Sequence, residues 1–185
     1  MELYDLYCKF PRISTDSRQV VAGGIFFALH GETFDGNRYA AAAVGAGATA
    51  AVIDDPAVTD GMSAAEKANY FVVPDTLKAL QELAARHRRQ LGIPILAITG
   101  SNGKTTTKEL ISRTLKRKYR VAVTQGNFNN HIGVPLTLLA MDRSAEFGVV
   151  EMGASHCGEI ALLCSIAQPD FGLITNIGKA HLEGF

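Results

Sequence analysis

The stretch 93–107, IPILAITGSNGKTTT, constrains this chain more than any other. Ile95-Leu96-Ala97-Ile98 is a short, unbroken apolar run, the pattern of a strand buried on both faces of a parallel sheet. It stops at a turn of small residues, Thr99-Gly100-Ser101-Asn102-Gly103, and Lys104-Thr105-Thr106 then opens a segment with helical spacing at Leu110, Ile111, Thr114 and Leu115. Strand, glycine turn and helix start are the parts of a phosphate cradle. Backbone N–H groups at the turn and the helix N-terminus aim at an anion, a lysine supplies a compact cation, and a threonine hydroxyl can ligate Mg²⁺. The motif is shorter than G-x-x-x-x-G-K-[ST], whose first glycine would fall at Ile98. The plain alternative is a glycine turn with a solvent lysine, and the ordered succession of strand, two glycines, Lys-Thr and helix weighs against it.

Before this stretch, residues 1–91 read as a small α/β unit. Strands are expected at 25–29, 50–53 and 70–73. An alanine-rich helix is expected after Asn37 as its cap, and a second from Asp75 or Thr76 to Gly92 with Leu77, Leu80, Leu83 and Ala84 on one face. Asp54-Asp55-Pro56 closes the strand at 50–53, and the stretch from there to Tyr70 reads as polar and weakly structured. Asp16-Ser17-Arg18 places a hydroxyl beside a bidentate cation, as a phosphate or sugar would need, but a capped turn with a surface arginine reads equally simply.

After it, residues 92–185 continue the strand–helix alternation, with strands at 120–124, 147–150 and 171–175 and helices at 136–141 and from Ser155 or His156 to Ile166. The loop 125–135 gathers Asn127, Asn129, Asn130 and His131 beyond a strand end, the place where parallel sheets bind ligands, although an Asn-rich turn is the simpler alternative. Glu151 closes a core strand downstream of the phosphate loop, where a second Mg²⁺ contact is required, and His181 stands in the same place after the last strand.

Composition narrows the setting. With 47% hydrophobic and 19% charged residues in 185, the chain can bury a core, and its net charge of +0 makes no electrostatic case for nucleic acid or an anionic membrane. Arg86-His87-Arg88-Arg89 reads as the wet face of a helix. No apolar run reaches the roughly 20 residues of a membrane span, and MELYDLYCKF lacks the build of a secretory signal. Three cysteines, an odd number without a metal-type cluster, point to a cytoplasmic protein with reduced thiols, Cys157 and Cys164 being buried on a helix.

Taken together, T-D-S-R at 15–18, F-F-A-L-H-G-E at 26–32, T-G-S-N-G-K-T-T-T at 99–107, N-F-N-N-H-I-G-V-P at 127–135, E-M-G-A at 151–154 and N-I-G-K-A-H-L-E-G-F at 176–185 resemble the Mur ligases. The match is nearest to the branch that joins D-alanyl-D-alanine to UDP-N-acetylmuramoyl-tripeptide. The resemblance covers essentially the whole chain. It implies an α/β fold of two parts, a UDP-sugar-peptide domain at 1–91 and a truncated P-loop-type parallel-sheet ATPase domain at 92–185. It implies ATP on Gly100, Ser101, Asn102, Gly103, Lys104, Thr105 and Thr106, with Mg²⁺ on Thr105, Glu151 and His181. It places Ser17, Arg18, Glu32, Thr33 and Phe34 on the UDP-sugar, and Asn129 and Asn130 between nucleotide and substrate, so that Lys104, Asn130, Glu151 and His181 carry the catalysis. The reaction implied runs through an acyl phosphate that an incoming amine opens to an amide.

Ser155 and Cys157 depart from the family pattern, where Asn and Pro are expected, and Ser155 is expected still to cap. Complete ligases of this family are more than twice as long. The chain therefore reads as an N-terminal portion that does not ligate alone, lacking a carbamylated lysine and a third domain, from a monomeric parent. A different amide ligase of the same group, folylpolyglutamate synthase included, and a non-catalytic nucleotide-binding module remain as other readings.

Overall fold

The computed structural model describes residues 2–31 and 33–178. The chain forms two compact units, Met1–Leu83 and Ala84–Phe185.

In the first unit, α1 (Leu3–Lys9) buries Leu6 and Tyr7. Four strands follow in parallel, β1 (Ile13–Ser14), β2 (Ile25–Phe27), then, beyond a hairpin of β3 (His30–Gly31) and β4 (Phe34–Asp35), β5 (Ala50–Ile53) and β6 (Tyr70–Val72). Their order in the sheet is β1-β2-β5-β6. Ile25, Phe26, Phe27, Val52 and Ile53 are fully buried, which is why these runs read as uninterrupted apolar residues and not as an alternation. Asn37 does not cap α2 (Ala40–Gly45). It lies buried inside a 3₁₀ turn, Gly36–Tyr39, whose cap is Asp35. The stretch read as weakly structured contains a 3₁₀ turn capped by Asp55 and a short α3 (Ala64–Lys67) closed by a Ser63–Glu66 capping box.

The division between units falls within α4 (Thr76–Leu91). The second unit then alternates β7 (Ile95–Thr99), α5 (Lys104–Leu115), β8 (Val121–Val123), α6 (Gly133–Leu139), β9 (Phe147–Glu151), α7 (Glu159–Ala167) and β10 (Phe171–Ile174). The strands are parallel in the order β10-β7-β9-β8. Right-handed crossovers put α5 on one face, against β7, β8 and β9, and α6 and α7 together on the other. All four carboxyl ends therefore share one edge, and the loops after β7, β8, β9 and β10 meet there.

The expected wet face at Arg86–Arg89 is corrected in part, because His87 and Arg88 are buried. His87 Nε2 bonds Met141 O at 2.7 Å, and burial pushes its pKa down. Arg88 donates to Ala167 O (2.9 Å), Gln168 O (3.0 Å) and Asp170 Oδ2 (2.8 Å), closing the carboxyl end of α7. Cys157 is exposed and precedes α7, so it is not the buried helical thiol expected, while Cys164 is half-buried.

Candidate functional site

The glycine turn leaves β7 at Gly100, whose φ of 133° no residue with a Cβ adopts comfortably. A Cβ there would also stand 2.1 Å from Thr175 Oγ1. Gly103, at φ 80°, is the N-cap of α5, and the helix begins at Lys104. The first amide used inside the helix is that of Thr107, on Gly103 O at 2.9 Å. The N–H groups of Lys104, Thr105 and Thr106 thus point out of the helix start, and Thr105 and Thr106 are exposed. Lys104 Nζ donates to Gly100 O at 2.6 Å, so the ammonium lies over the turn itself.

The other side of the turn is fixed by the segment after β10, a support that sequence reasoning missed. Ser101 N donates to Asn176 O at 3.1 Å and Asn102 N to Asn176 Oδ1 at 3.0 Å. Thr175 Oγ1 donates to Asn102 O at 2.6 Å, and Gly178 N to Ser101 Oγ at 2.9 Å. Beside the turn opens a cleft of about 430 Å³, lined by Gly100, Lys104, Ala154, Ile160 and Asn176 among others.

Glu151 ends β9 in register with Ile98 of β7, so its carboxylate stands one strand away from the phosphate turn. It is buried. Oε1 accepts from Asn129 Nδ2 at 2.9 Å, its own N–H donates to Thr124 Oγ1 at 2.9 Å, and Oε2 lies 3.4 Å from Lys108 Nζ without a hydrogen bond. Lys108 is 2% exposed and bonds Thr124 O at 2.9 Å. Sequence reasoning passed over Lys108. Its signal was the spacing, four residues after Lys104 and hence one turn along the same face.

The asparagine loop divides in role. Asn129 holds the carboxylate, whereas exposed Asn130 turns its Oδ1 onto the N–H groups of Ile132 (3.1 Å) and Gly133 (2.8 Å), starting α6. That helix begins earlier than expected because Gly133 packs on Phe128, whose Cα would lie 2.4 Å from an added Cβ. Beyond β9, Ser155 does not cap α7. Gly158 occupies the cap, and the Glu159 carboxylate instead accepts from Ser155 N and His156 N, which holds its pKa down.

In the first unit, Ser17 and Arg18 sit in a turn after β1. Arg18 grips the neighbouring Asp16 through both Nε (2.9 Å) and Nη2 (2.8 Å), and its hydrogen bonds pull the Asp16 carboxyl down to about 2. Thr33 and Phe34 lie in the β3–β4 hairpin, with Phe34 stacked on Tyr39 at 5.3 Å. The hairpin is tied down by His30, whose Nε2 donates to Asp54 Oδ1 at 2.6 Å. Burial alone would push the Asp54 carboxyl up, but bonds from Asn37, His30 and Thr76 outweigh it and hold it at about 2. Thus Gly100–Thr106, Asn129, Asn130 and Glu151 are brought to one edge of the second unit, and Ser17, Arg18, Thr33 and Phe34 belong to the first. Glu32 and His181 lie outside the described residues.

The donors at the turn fit a nucleotide phosphate and Mg²⁺. A buried carboxylate oxygen without a hydrogen bond and a helix-start hydroxyl are hard oxygen ligands. Among the described residues no cluster of three or more His, Cys, Asp or Glu could hold a metal ion alone.

A parallel sheet with a glycine turn, helix start and acidic strand tip at its carboxyl edge defines an α/β protein of the open parallel-sheet class. Residues 9–88 match the Mur ligase family catalytic domain and residues 98–185 the Mur ligase middle domain. The chain belongs to the Mur ligase family. It is 48% identical over 174 residues to the UDP-N-acetylmuramoyl-tripeptide–D-alanyl-D-alanine ligase of Synechocystis, covering 94% of this chain and 37% of that protein. It is 40% identical to the Escherichia coli protein of the same name, covering 100% of this chain and 39% of that one. The crystal structure of MurF from Acinetobacter baumannii superposes with a TM-score of 0.85 at 41% identity, covering 94% of this chain and 37% of that chain. MurF from Thermotoga maritima in complex with ADP gives 0.82 at 35%, covering 98% and 40%. The chain therefore spans little more than a third of the length of these relatives.

Proposed function

We propose that this chain supplies the nucleotide site and the UDP-sugar-peptide site of an ATP-dependent ligase that joins D-alanyl-D-alanine to UDP-N-acetylmuramoyl-tripeptide. The observation that carries the reading is the phosphate turn, braced by Thr175 and Asn176, with Glu151 buried one strand away. The names of the relatives point to the same substrates. In this reading residues 1–91 hold the UDP-sugar through Ser17, Arg18, Glu32, Thr33 and Phe34, and residues 92–185 hold ATP.

Two anions, the tripeptide carboxylate and the γ-phosphate, must approach each other, and the carboxylate oxygen attacks phosphorus as ADP leaves. The amine then displaces phosphate from the resulting acyl phosphate. Such a reaction needs orientation and positive charge more than a protein nucleophile. The N–H groups at 104–106 orient the phosphates, and Lys104 supplies a cation to the outer ones. Thr105 and Glu151, with His181, would hold Mg²⁺, which when bound neutralises phosphate charge. Asn129 fixes Glu151 in place, and Asn130 would lie on the substrate side of the nucleotide.

Ligation belongs to a protein of the relatives' full length. The test on this chain is calorimetric titration with ADP and with the UDP-sugar tripeptide. Binding of both is expected, with ADP binding weakened by Lys104→Ala and tripeptide binding weakened by Arg18→Ala. Failure to bind ADP would overturn the nucleotide assignment.

A further inference from the structure

Lys108 has no part in the mechanism above, yet it is the most deeply buried lysine of the second unit's described residues and faces the carboxylate assigned to the cation. Its Nζ is 3.4 Å from Glu151 Oε2, and the two side chains are 2% and 3% exposed. The ammonium cannot swing away, because it also donates to Thr124 O at 2.9 Å and the space around it is filled. Two further groups complete its surroundings. Glu109 Oε1 lies 3.8 Å away on a half-exposed side chain, and Asn129 Nδ2 occupies the other Glu151 oxygen.

We propose that Lys108 makes divalent-cation binding at Glu151 conditional on bound nucleotide. This rests on the reading of residues 100–106 as a nucleotide-phosphate site. The fixed positive charge offsets much of the attraction of Glu151 for a lone dication, and half-exposed Glu109, screened by solvent, restores little of it. Only a ligand that brings several negative charges of its own, a nucleoside di- or triphosphate on the adjacent turn, restores a favourable balance. A buried ion pair serving stability alone would put no such condition on the cation. By linkage, the cation must tighten nucleotide binding by the same factor as nucleotide tightens the cation.

The experiment is a Mn²⁺ titration of the full chain followed by electron paramagnetic resonance, with and without saturating ADP, alongside ADP titrations with and without Mn²⁺. The wild-type chain is expected to bind Mn²⁺ about tenfold or more weakly without ADP than with it. Lys108→Met is expected to tighten nucleotide-free Mn²⁺ binding about tenfold or more, and Lys108→Arg to leave it as in the wild type. Equal wild-type affinity for Mn²⁺ with and without ADP overturns the proposal whether or not any variant folds. So does a Lys108→Met chain with wild-type circular dichroism whose nucleotide-free affinity is unchanged or weaker. If Lys108→Met does not fold, Lys108→Gln, which keeps a hydrogen-bond donor, is judged by the same criterion. Absence of ADP binding under every condition removes the nucleotide reading and the coupling with it, whereas ADP binding without coupling overturns the coupling alone.

Discussion

Gly100 and Thr175 approach so closely that the smallest side chain on the glycine would meet the threonine hydroxyl at 2.1 Å. The same hydroxyl donates to Asn102 O at 2.6 Å, so the contact that forbids a side chain also braces the turn. Gly100→Ala is expected to destabilise the second unit by about 1–3 kcal/mol, combining an unfavourable φ with the clash. ADP binding is expected to weaken together with stability. Thermal melting and calorimetry check both, and unchanged ADP affinity would show that the turn does not hold phosphate.

Lys104 offers a cleaner separation. Its Nζ rests on Gly100 O, and its side chain is half-buried at the helix start. Lys104→Ala is expected to leave the melting temperature within a few degrees while lowering affinity for ADP–Mg²⁺ by about 10- to 100-fold, the loss of one or two charge-assisted bonds. A variant that binds as tightly as the wild type would place the phosphates elsewhere.

The tie between His30 and Asp54 makes hairpin docking depend on pH. The hydrogen bond to Asp54 raises the His30 pKa above its usual 6.5. A raised histidine contributes its stability fully below the unfolded value and loses it as pH rises through the folded one. Asp54, held at about 2, contributes above its unfolded value and loses this only as pH falls toward 2. A proton NMR titration of His30 is expected to show the raised pKa, and Asp54→Asn to return it toward 6.5. A His30 pKa at or below 6.5 in the wild type would contradict the contact.

Arg88 and Arg89 are neighbours in sequence with opposite fates. Arg88→Ala leaves Ala167 O, Gln168 O and Asp170 without their donor and is expected to cost about 2–4 kcal/mol. Exposed Arg89→Ala is expected to change stability by about 0.5 kcal/mol at most. Denaturant melts of the two variants decide, and equal effects would refute the buried role of Arg88.

The strands that read most clearly in the sequence were those buried on both faces, 25–27, 50–53, 95–99 and 147–151, because unbroken apolar runs have few other uses. Glu151 and the turn at 100–103 were legible for the same reason, as polar punctuation at the ends of such runs. What escaped depended on tertiary partners. A lysine at 108 or an arginine at 88 in a helix reads as solvent-facing until something acidic, or a row of carbonyls, is known to lie opposite. Asn176 likewise looks like any loop asparagine, since its value lies in an alignment with residue 102 across 74 positions of sequence. The helix start at 133 moved because Gly133 packs closely on Phe128 while Asn130 takes up the first amides, and the start at 159 moved because a reversed cap from Glu159, not a Ser155 cap, sets it.

The grip of Asn176 on both Ser101 and Asn102 has a thermodynamic corollary. Freezing a flexible glycine-rich turn is ordinarily a penalty that falls on ligand capture. Here folding has already borne it, so an incoming phosphate meets a stiff receptor and its association should show little entropic loss from the polypeptide.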